Sequence, residues 1–402
     1  MKYRWKRQTA IFLTSQAISL FGSALVQFAI TAYISVQTKS GTYATIAILC
    51  AVLPTFLLSP FAGVWADKYD RKLLTILADA GISICTLVVA IIFAMGKGSI
   101  NLLFVALAIR ALGAAVQMPA VSALFPDMVP EEHLTRVNGI NGTLQSLFTL
   151  ASPIIGAFLL GFASLEMIFL IDIVTAAIAI TILVVGFKLP KKEKSEREEP
   201  SGSYFDEMKE GLKYIKRNKF LVEFFAFFTV FLVMMAPAAF LTQIQVVRNY
   251  GEGYWHLSVM EVVFSVGMLA GGIVISLWKG LKNKVYMMII AGVVQGVCSL
   301  LLGIKVPFTW YCVFMGLFGA VMPFLNTPAM TLLQEKVETQ YMGRVFGVMT
   351  MISTSMMPLG MVIFGPMADK MSIEILLIGT GIATILLALT MSRAKALCKV
   401  GE

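Results

Sequence analysis

Ionisable side chains stand inside several long apolar stretches of this sequence, where charged residues are rare. The acids are Asp79, Asp172, Glu223 and Glu261, and the base is Arg110. An ionised carboxylate is costly in an apolar environment, so a carboxyl group placed there is suited to load and release a proton. An arginine placed there needs a carboxylate or a water-filled cavity beside it. These residues are therefore the first candidates for chemistry.

The four acids differ in their surroundings along the sequence. Asp79 lies about two turns from the end of its span and can pair with Arg110. Glu223 lies within a turn of basic residues, which favours a role as an interface anchor. Asp172 and Glu261 have no basic residue close in sequence. We therefore expect these two to be proton or cation sites, with satisfied polar groups as the alternative.

Arg110 is the sole basic residue that the sequence places inside a span. Its position favours a role in coupling, with a structural ion pair to Asp79 or Asp67 as the alternative.

The composition decides the class of protein that carries these residues. Only 14% of the 402 residues are charged and 58% are apolar, whereas a soluble domain has about a quarter charged residues. This excludes a soluble enzyme. The apolar runs are also too long and unbroken for the alternating strands of a membrane β-barrel. We expect an all-α polytopic membrane protein.

Catalytic and metal sites are not expected. The five cysteines form no CxxC pair, and the two histidines, His133 and His256, lie far apart. The spacing of these residues fits no zinc or haem site. No nucleophile with a base and no phosphate-binding loop is recognisable. The sequence thus predicts neither an enzyme nor a resident cofactor.

Long apolar segments separated by charged residues predict twelve transmembrane helices. They lie near residues 10–37, 42–66, 73–95, 99–125, 137–161, 166–188, 219–247, 256–278, 285–304, 307–334, 343–367 and 373–392. Of the 32 basic residues, 26 lie on the side of the membrane where both termini lie, and five lie on the opposite side. By the positive-inside rule both termini are cytoplasmic. The net charge of +9 then faces anionic lipid and requires no nucleic acid.

A charged segment divides these helices into two sets of six. We assign 1–188 to an N-terminal half, 189–218 to a cytoplasmic linker and 219–402 to a C-terminal half. The linker is predicted to contain an amphipathic helix on the inner membrane face, with its apolar residues at helical spacing. Asp127 to Gly139 and Glu335 to Gly347 share an acid, a valine and an Arg-Val-x-Gly sequence at a constant offset. An even number of helices per repeat predicts a parallel repeat.

The connection between spans two and three reads Gly63-Val-Trp-Ala-Asp67-Lys-Tyr-Asp-Arg71-Lys72. It resembles the signature of the major facilitator superfamily in that loop. The resemblance implies a gate, in which Gly63 permits close helix approach and Asp67 accepts hydrogen bonds from the N-terminus of span eleven. Arg71 and Lys72 would hold the loop at the membrane interface. The alternative is that the loop merely follows the positive-inside rule. This alternative explains the basic residues and leaves Gly63 and Asp67 unexplained.

Two further patterns are similar to antiporter motifs of that superfamily. Arg110-Ala-Leu-Gly113 lies in span four, and Ser152-Pro153-Ile-Ile-Gly156 lies in span five with serine in place of a leading glycine. Neutral polar residues within spans are candidates for the lining of a wet cavity, with hydrogen bonding between helices as the alternative. They are Gln16, Gln27, Gln117, Asn141, Gln145, Gln295 and Asn326.

Over its full length the sequence resembles drug:proton antiporters of this superfamily, and in particular the bacterial macrolide-efflux proteins. The resemblance implies proton-driven export of amphipathic, often cationic drugs by alternating access, from a monomer in the bacterial cell membrane. Its partners would be a small-molecule substrate, protons and the lipid bilayer. One alternative is an exporter or flippase of an endogenous metabolite such as a siderophore or lysolipid. A non-transporting membrane receptor is the other.

Overall fold

The structure, a computed structural model, describes residues 5–188, 204–251, 253–278, 281, 283–338, 341–394 and 397. Of residues 60, 67, 135 and 204–209 it describes the backbone alone. Half of the predicted linker, residues 189–203, lies outside the described residues.

Every regular element within the described ranges is a helix. The helices are α1 (Trp5–Thr38), α2 (Gly41–Lys68), α3 (Arg71–Ala94), α4 (Ile100–Met128), α5 (Glu131–Leu160), α6 (Leu165–Thr181), α7 (Tyr204–Arg217), α8 (Lys219–Ala236), α9 (Thr242–Tyr250), α10 (Tyr254–Leu277), α11 (Lys284–Leu302), α12 (Phe308–Lys336), α13 (Met342–Lys370) and α14 (Ile373–Met391). Twelve helical segments of the described chain are long and apolar enough to cross a membrane. The predicted all-α membrane architecture is confirmed.

Two spans contain a π-helical turn that the sequence analysis treats as ordinary helix. Ile182–Gly186 ends the span that begins with α6, and Pro237–Leu241 joins α8 to α9. Pro237 has no N–H to donate, so the regular hydrogen-bond ladder is interrupted there. The seventh predicted span is therefore one membrane crossing built from two helices and a π-turn.

Polar caps begin several helices where the sequence changes from charged to apolar. Asp70 Oδ1 accepts from Leu73 N at 2.8 Å at the start of α3, and Asn283 Oδ1 accepts from Val285 N at 2.9 Å at the start of α11. Each cap satisfies a backbone donor that the first helical turn leaves free. In the connection after α2, Asp70 stands where the superfamily pattern has glycine more often, and capping of α3 accounts for it.

The chain folds as two compact units. Unit 1 comprises Met1–Gln37 and Ile46–Glu199, and unit 2 comprises Thr38–Thr45 and Pro200–Glu402. Thr38–Thr45, which runs from the last residue of α1 to the first turn of α2, is thus grouped with the C-terminal helices, and a division of the sequence at the linker does not anticipate this. Large apolar side chains remain exposed on the helices of both units, among them Phe61, Ile84 and Leu277. Such surfaces are suited to contact lipid.

Unit 1 has an aromatic core near its termini. Phe12 of α1 contacts Phe125 of α4 edge to face and Phe187, which follows α6, at a tilt. All three rings are at most 1% exposed. Lys72 lies against the same cluster, donating to Phe187 O at 2.6 Å with its ammonium over the ring.

Unit 2 contains a close helix crossing between α10 and α12. A Cβ atom added to Gly267 would overlap the Gly316 carbonyl, and one added to Gly271 would overlap the Ala320 carbonyl. Small residues at these positions allow the two backbones to touch, which is how helices associate without a hydrophobic driving force in lipid.

The predicted amphipathic helix exists as α7, and it packs against α13 and α8. Arg344 Nη1 lies 2.9 Å from Glu210 Oε2, and the ring of Tyr214 stacks on Tyr341 with centroids 4.1 Å apart. Gly211 lies against the backbone of Arg344. The helix therefore packs on other helices of the protein. The expectation of a helix lying on the membrane face did not include this contact.

Neighbouring glycines offer a test of the α10–α12 crossing. Gly271→Ala should destabilise the protein by about 1–3 kcal/mol, because the new methyl must displace the backbone of α12. Gly272→Ala should not destabilise the protein, since no atom of the described residues lies within 4 Å of a Cβ atom there and alanine favours a helix more than glycine does. Thermal unfolding of the purified protein in detergent, followed by a thiol-reactive dye, measures both. Equal stability of the two variants would contradict the crossing.

Candidate functional site

A buried ion pair joins two helices of unit 1. Arg110 Nη1 on α4 lies 2.5 Å from Asp172 Oδ2 on α6, and the two side chains are 5% and 1% exposed. A pair this deeply buried is costly to break, because removing either partner leaves a charge without compensation. Arg110 and Asp172 are thus brought together by the fold across 62 residues of sequence.

Two more helices complete this cluster. Thr86 Oγ1 on α3 lies 2.5 Å from Arg110 Nη1 and 3.1 Å from Asp172 Oδ2. From α1, Ser23 Oγ donates to Asp172 Oδ1 at 3.3 Å, and the Ser23 carbonyl accepts from Arg110 Nη2 at 3.0 Å. Both carboxylate oxygens therefore have polar partners. The analysis of the sequence did not single out Ser23 or Thr86, although each is polar within a span.

Asp79 forms a second cluster on the same helices. Its Oδ1 accepts from Ser19 Oγ at 2.9 Å and from Gln117 Nε2 at 2.6 Å. Its Oδ2 has no hydrogen-bond partner among the described residues, and the side chain is 2% exposed. The described part of unit 1 gives Asp79 no ion pair. This carboxyl group is thus buried among neutral donors.

The two clusters are successive tiers of one polar ladder. Asp79 and Thr86 are seven residues apart on α3, and Arg110 and Gln117 are seven apart on α4, which is about two turns or 10 Å of helix. The two helices run in opposite directions from a short connection, so Asp79 meets Gln117 while Thr86 meets Arg110.

One expectation about these residues needs correction. The expected partner of Arg110 in a structural pair was Asp79 or Asp67, and the structure places Asp172 there instead. Asp172 has no basic residue near it in sequence, and α4 supplies one through the fold. The helix register of α3 against α4 decides this, since it keeps Asp79 two turns away from Arg110.

The gate residues of the loop after α2 are held by unit 1 itself. Arg71 donates to the carbonyls of Ala66 and Ala123 at 2.9 Å and lies 2.5 Å from Asp127 Oδ2. Together with Lys72, which is bound at the Phe187 carbonyl, Arg71 ties the loop to neighbouring helices. Both residues were expected to anchor the loop at the membrane interface, and their described contacts are with protein.

The other two gate residues, Gly63 and Asp67, make no described side-chain contact. No atom of the described residues lies within 4 Å of a Cβ atom built on Gly63, so the close helix approach expected at that glycine stays a prediction. The side chain of Asp67 lies outside the described part of the structure. Tyr341, the N-cap of α13, makes no side-chain capping bond.

Three glycines fix the packing around the polar ladder. A Cβ atom on Gly22 of α1 would overlap Thr175 and approach Asp172, and one on Gly113 of α4 would overlap Ile82. Gly156 of α5 faces Phe28 in the same way, one turn after Pro153. The Gly113 and Gly156 positions of the sequence patterns therefore serve helix packing.

The cavity candidates separate into two groups by exposure. Gln16, Gln117 and Gln295 are buried, and Gln117 belongs to the Asp79 tier. The remaining candidates, Gln27, Asn141, Gln145 and Asn326, are partly or fully exposed. On α5 the exposed residues Asn138, Gln145 and Thr149 follow helical spacing, which gives this helix a polar face.

Glu261 and Glu223, the two acids that the sequence places inside spans of unit 2, form none of the described ion pairs. Glu261 Oε1 of α10 accepts from Gln243 Nε2 of α9 at 3.2 Å. Glu223 Oε2 accepts from the backbone of Leu397 at 3.3 Å. Glu261 thus remains a candidate for a proton or cation site, while Glu223 fastens a residue that follows α14.

Comparison with known proteins decides the family. Residues 12–361 match the family model described as Major Facilitator Superfamily. The chain belongs to the major facilitator superfamily. Macrolide efflux protein A of Streptococcus pyogenes is 30% identical to it over 388 residues, which cover 95% of each chain.

Two more distant relatives of this major facilitator protein are informative. The staphyloferrin A transporter of Staphylococcus aureus is 23% identical over 393 residues and covers 94% of each chain. The crystal structure of nucleoside transporter NupG superposes with a TM-score of 0.70 at 13% identity, covering 98% of this chain and 99% of that one. At this identity the second likeness concerns the fold alone. The chain is a major facilitator transporter.

The ion pair can be tested by a double-mutant cycle. Arg110→Gln and Asp172→Asn should each destabilise the protein by about 3–5 kcal/mol, because each leaves a buried charge alone. The double variant should be more stable than the two losses added together. Lys97→Gln, at an exposed position between α3 and α4, serves as the control. Strictly additive losses in thermal unfolding would show that the pair is not coupled.

Proposed function

We propose that this transporter exports amphipathic, macrolide-like compounds from the cytoplasm in exchange for protons. The single observation that carries the substrate class is the 30% identity to macrolide efflux protein A over 95% of both chains. The observation that carries proton coupling is the pair of polar tiers in unit 1, which contain two buried carboxyl groups and one guanidinium.

The charges of the tiers assign the proton to Asp79. Arg110 compensates Asp172 at 2.5 Å, and this leaves no basic partner for Asp79 in the described part of unit 1. A lone ionised carboxylate at 2% exposure is costly, so Asp79 is neutral and protonated in this arrangement. This assignment replaces Asp172, favoured by the sequence, as the proton carrier of the N-terminal half.

Release of the proton requires a new partner for the Asp79 carboxylate. Arg110 is the nearest basic side chain on the facing helix, two turns away along α4. If Arg110 turned toward Asp79, the Asp79 carboxylate would be stabilised and Asp172 would lose its counter-ion and take up a proton. One guanidinium shared by two carboxyl groups thus allows one of them to release a proton while the other takes one up, and the net charge of the tiers stays constant.

The driving force depends on the substrate charge. Exchange of one proton for one monovalent cation moves no net charge, so only the pH gradient would drive it. A neutral substrate would add about 2.3 kcal/mol for each 100 mV of membrane potential.

Orientation and alternating access complete the proposal. The bias of basic residues places both termini in the cytoplasm and the α1–α2 connection outside. The polar face of α5 supports a water-accessible path within the N-terminal helices. Asp67, at the cytoplasmic end of α2, would bind the N-terminus of α13 when the inner side closes. Asp67→Asn should then shift the balance of inward-open and outward-open states.

A siderophore-like metabolite is the alternative substrate. Its support is the 23% identity to the staphyloferrin A transporter over 94% of each chain. This identity is lower than the 30% identity to macrolide efflux protein A, so the metabolite is the second choice of substrate. The proton-coupling scheme is the same for either substrate.

Substitution of Asp79 tests the coupling assignment. Asp79→Asn should abolish macrolide efflux driven by a pH gradient in proteoliposomes, because the amide cannot carry the proton. Counterflow of labelled against unlabelled macrolide should persist, because the amide oxygen still accepts from Ser19 and Gln117. Asp70→Asn, which changes an exposed acid of the same helix, should retain both activities. Efflux at the wild-type rate in Asp79→Asn would refute the assignment, and loss in Glu261→Gln alone would move the proton site to unit 2.

A drug-susceptibility panel tests the substrate class. Overexpression of the wild type in a macrolide-susceptible bacterium should raise the inhibitory concentration of macrolides several-fold, and Asp79→Asn should not. An unchanged panel, together with gradient-driven transport of an iron-free siderophore in vesicles, would favour the metabolite alternative.

A further inference from the structure

Aromatic rings stack at the same position in the two copies of the sequence repeat. In unit 1, Trp5 at the start of α1 stacks on His133 at the start of α5, with ring centroids 4.7 Å apart and planes inclined by 22°. In unit 2, Tyr214 of α7 stacks on Tyr341 at the start of α13, with centroids 4.1 Å apart. His133 and Tyr341 each lie three residues before an Arg-Val-x-Gly sequence. Each unit thus covers this position with a ring from the beginning of its own half.

An ion pair is repeated beside each stack. Asp127, the acid that opens the first copy of the repeat, lies 2.5 Å from Arg71 at the start of α3. Glu335 opens the second copy and lies 2.7 Å from Lys284 at the start of α11. The two copies therefore share their local architecture. They differ in the ring that is covered, which is histidine in unit 1 and tyrosine in unit 2.

The histidine makes the stack of unit 1 sensitive to pH. An imidazole changes its charge between about pH 5 and pH 8, whereas the phenol of a tyrosine keeps its proton there. An imidazolium over the face of an indole gains a cation–π attraction that a neutral imidazole lacks. The stack of Trp5 on His133 should therefore strengthen as His133 takes up a proton, and the stack on Tyr341 should not change in this range.

The charged group in contact with His133 favours its protonated form. Glu132 Oε1 lies 3.4 Å from His133 Nε2, and the His133 side chain is 38% exposed, so protons from solution reach it. The Lys6 ammonium lies 5.7 Å from the centroid of the Trp5 ring and acts in the opposite direction. The other charged residues on the elements that meet here are Glu131 and Arg136 on α5, Arg7 on α1, and Asp127 on α4, which Arg71 binds.

The stack joins the beginnings of two helices of unit 1. Trp5 packs against the buried aromatic core that contains Phe12, and so does Leu134, the neighbour of His133. Farther along α1, Ser19 and Ser23 bind the carboxyl groups of the two polar tiers. A contact that fixes the start of α1 therefore acts on a helix that serves the proposed proton site.

We propose that His133 is a sensor of cytoplasmic pH, whose protonation tightens its stack on Trp5 and fixes the start of α1 on the start of α5. The cytoplasmic side follows from the distribution of basic residues, and the inference rests on the proposed transport function. An exporter that exchanges its substrate for protons acidifies the cytoplasm. The restraint on α1 would then be strongest when proton entry has lowered the cytoplasmic pH, which limits further exchange.

Acrylamide quenching of Trp5 fluorescence measures this contact without any substrate. The reference is the full-length protein in detergent with its four other tryptophans replaced by phenylalanine, and these four are exposed: Trp65, Trp255, Trp278 and Trp310. Acrylamide is neutral, so its access to the indole reports how well the stack covers the ring. The quenching constant, taken from fluorescence lifetimes, should be about two- to fivefold lower at about pH 5 than at about pH 8.

His133→Tyr is the matched control, because it copies the ring of unit 2 and cannot take up a proton in this range. Its quenching constant should be the same at both pH values, and so should that of His133→Gln. His256→Gln, which changes the other histidine, should behave like the reference. A protein whose sole tryptophan is introduced by Tyr214→Trp, facing Tyr341, should also show no dependence on pH.

Two results would overturn the sensor. One is an equal quenching constant at the two pH values in the reference, and the other is a pH dependence that persists in both His133→Tyr and His133→Gln. The fluorescence result does not depend on efflux. A protein that exports none of the compounds tested but keeps the pH-dependent stack would refute the proposed substrate and leave the sensor in place.

Discussion

A guanidinium inside an apolar helix bundle is tolerated only where a carboxylate and further acceptors surround it. In unit 1, Arg110 meets this condition through Asp172, Thr86 and the carbonyl of Ser23. Four helices, α1, α3, α4 and α6, must therefore keep a fixed register where these groups meet. Gly22 follows from the same constraint, because a side chain there would push α1 away from Asp172. The polar ladder thus sets the packing of the helices as much as the apolar contacts do.

The same ion pair explains why Asp79 is chemically distinct from Asp172. Both carboxyl groups are at most 2% exposed, yet one has a cation at 2.5 Å and the other has only neutral donors on one oxygen. Two acids in similar burial but unequal electrostatic surroundings favour opposite protonation states. A transporter that couples to protons needs such an inequality, together with a way to reverse it. In the proposed scheme, the single guanidinium beside Asp172 would supply both.

The sequence predicted the helices far better than it predicted which side chains meet. Long apolar runs punctuated by charge determine where spans begin and end, because the bilayer sets their length. The need of Arg110 for a carboxylate also follows from the sequence, because the apolar run around it already shows that its charge is buried. The identity of the partner depends on register, and here a clue was present. The short connection from Ala94 to Ile100 makes α3 and α4 antiparallel neighbours, which aligns Arg110 with Thr86 and leaves Asp79 two turns away. Asp172 could not be found in this way, because its position against α4 depends on how α6 packs.

The contacts of Asp369 show what a motif search of one loop misses. The spacing of Gly, Ala, Asp and Lys at the end of α13 is visible in the sequence, yet its partner is the first turn of α2, on the opposite side of the chain. An aspartate at the end of one helix can cap the start of another wherever the two ends lie side by side, and Asp369 and Gly41 meet this condition. The residues that make the cap are thus readable in the sequence, whereas the pairing of the two helix ends depends on how the helices pack.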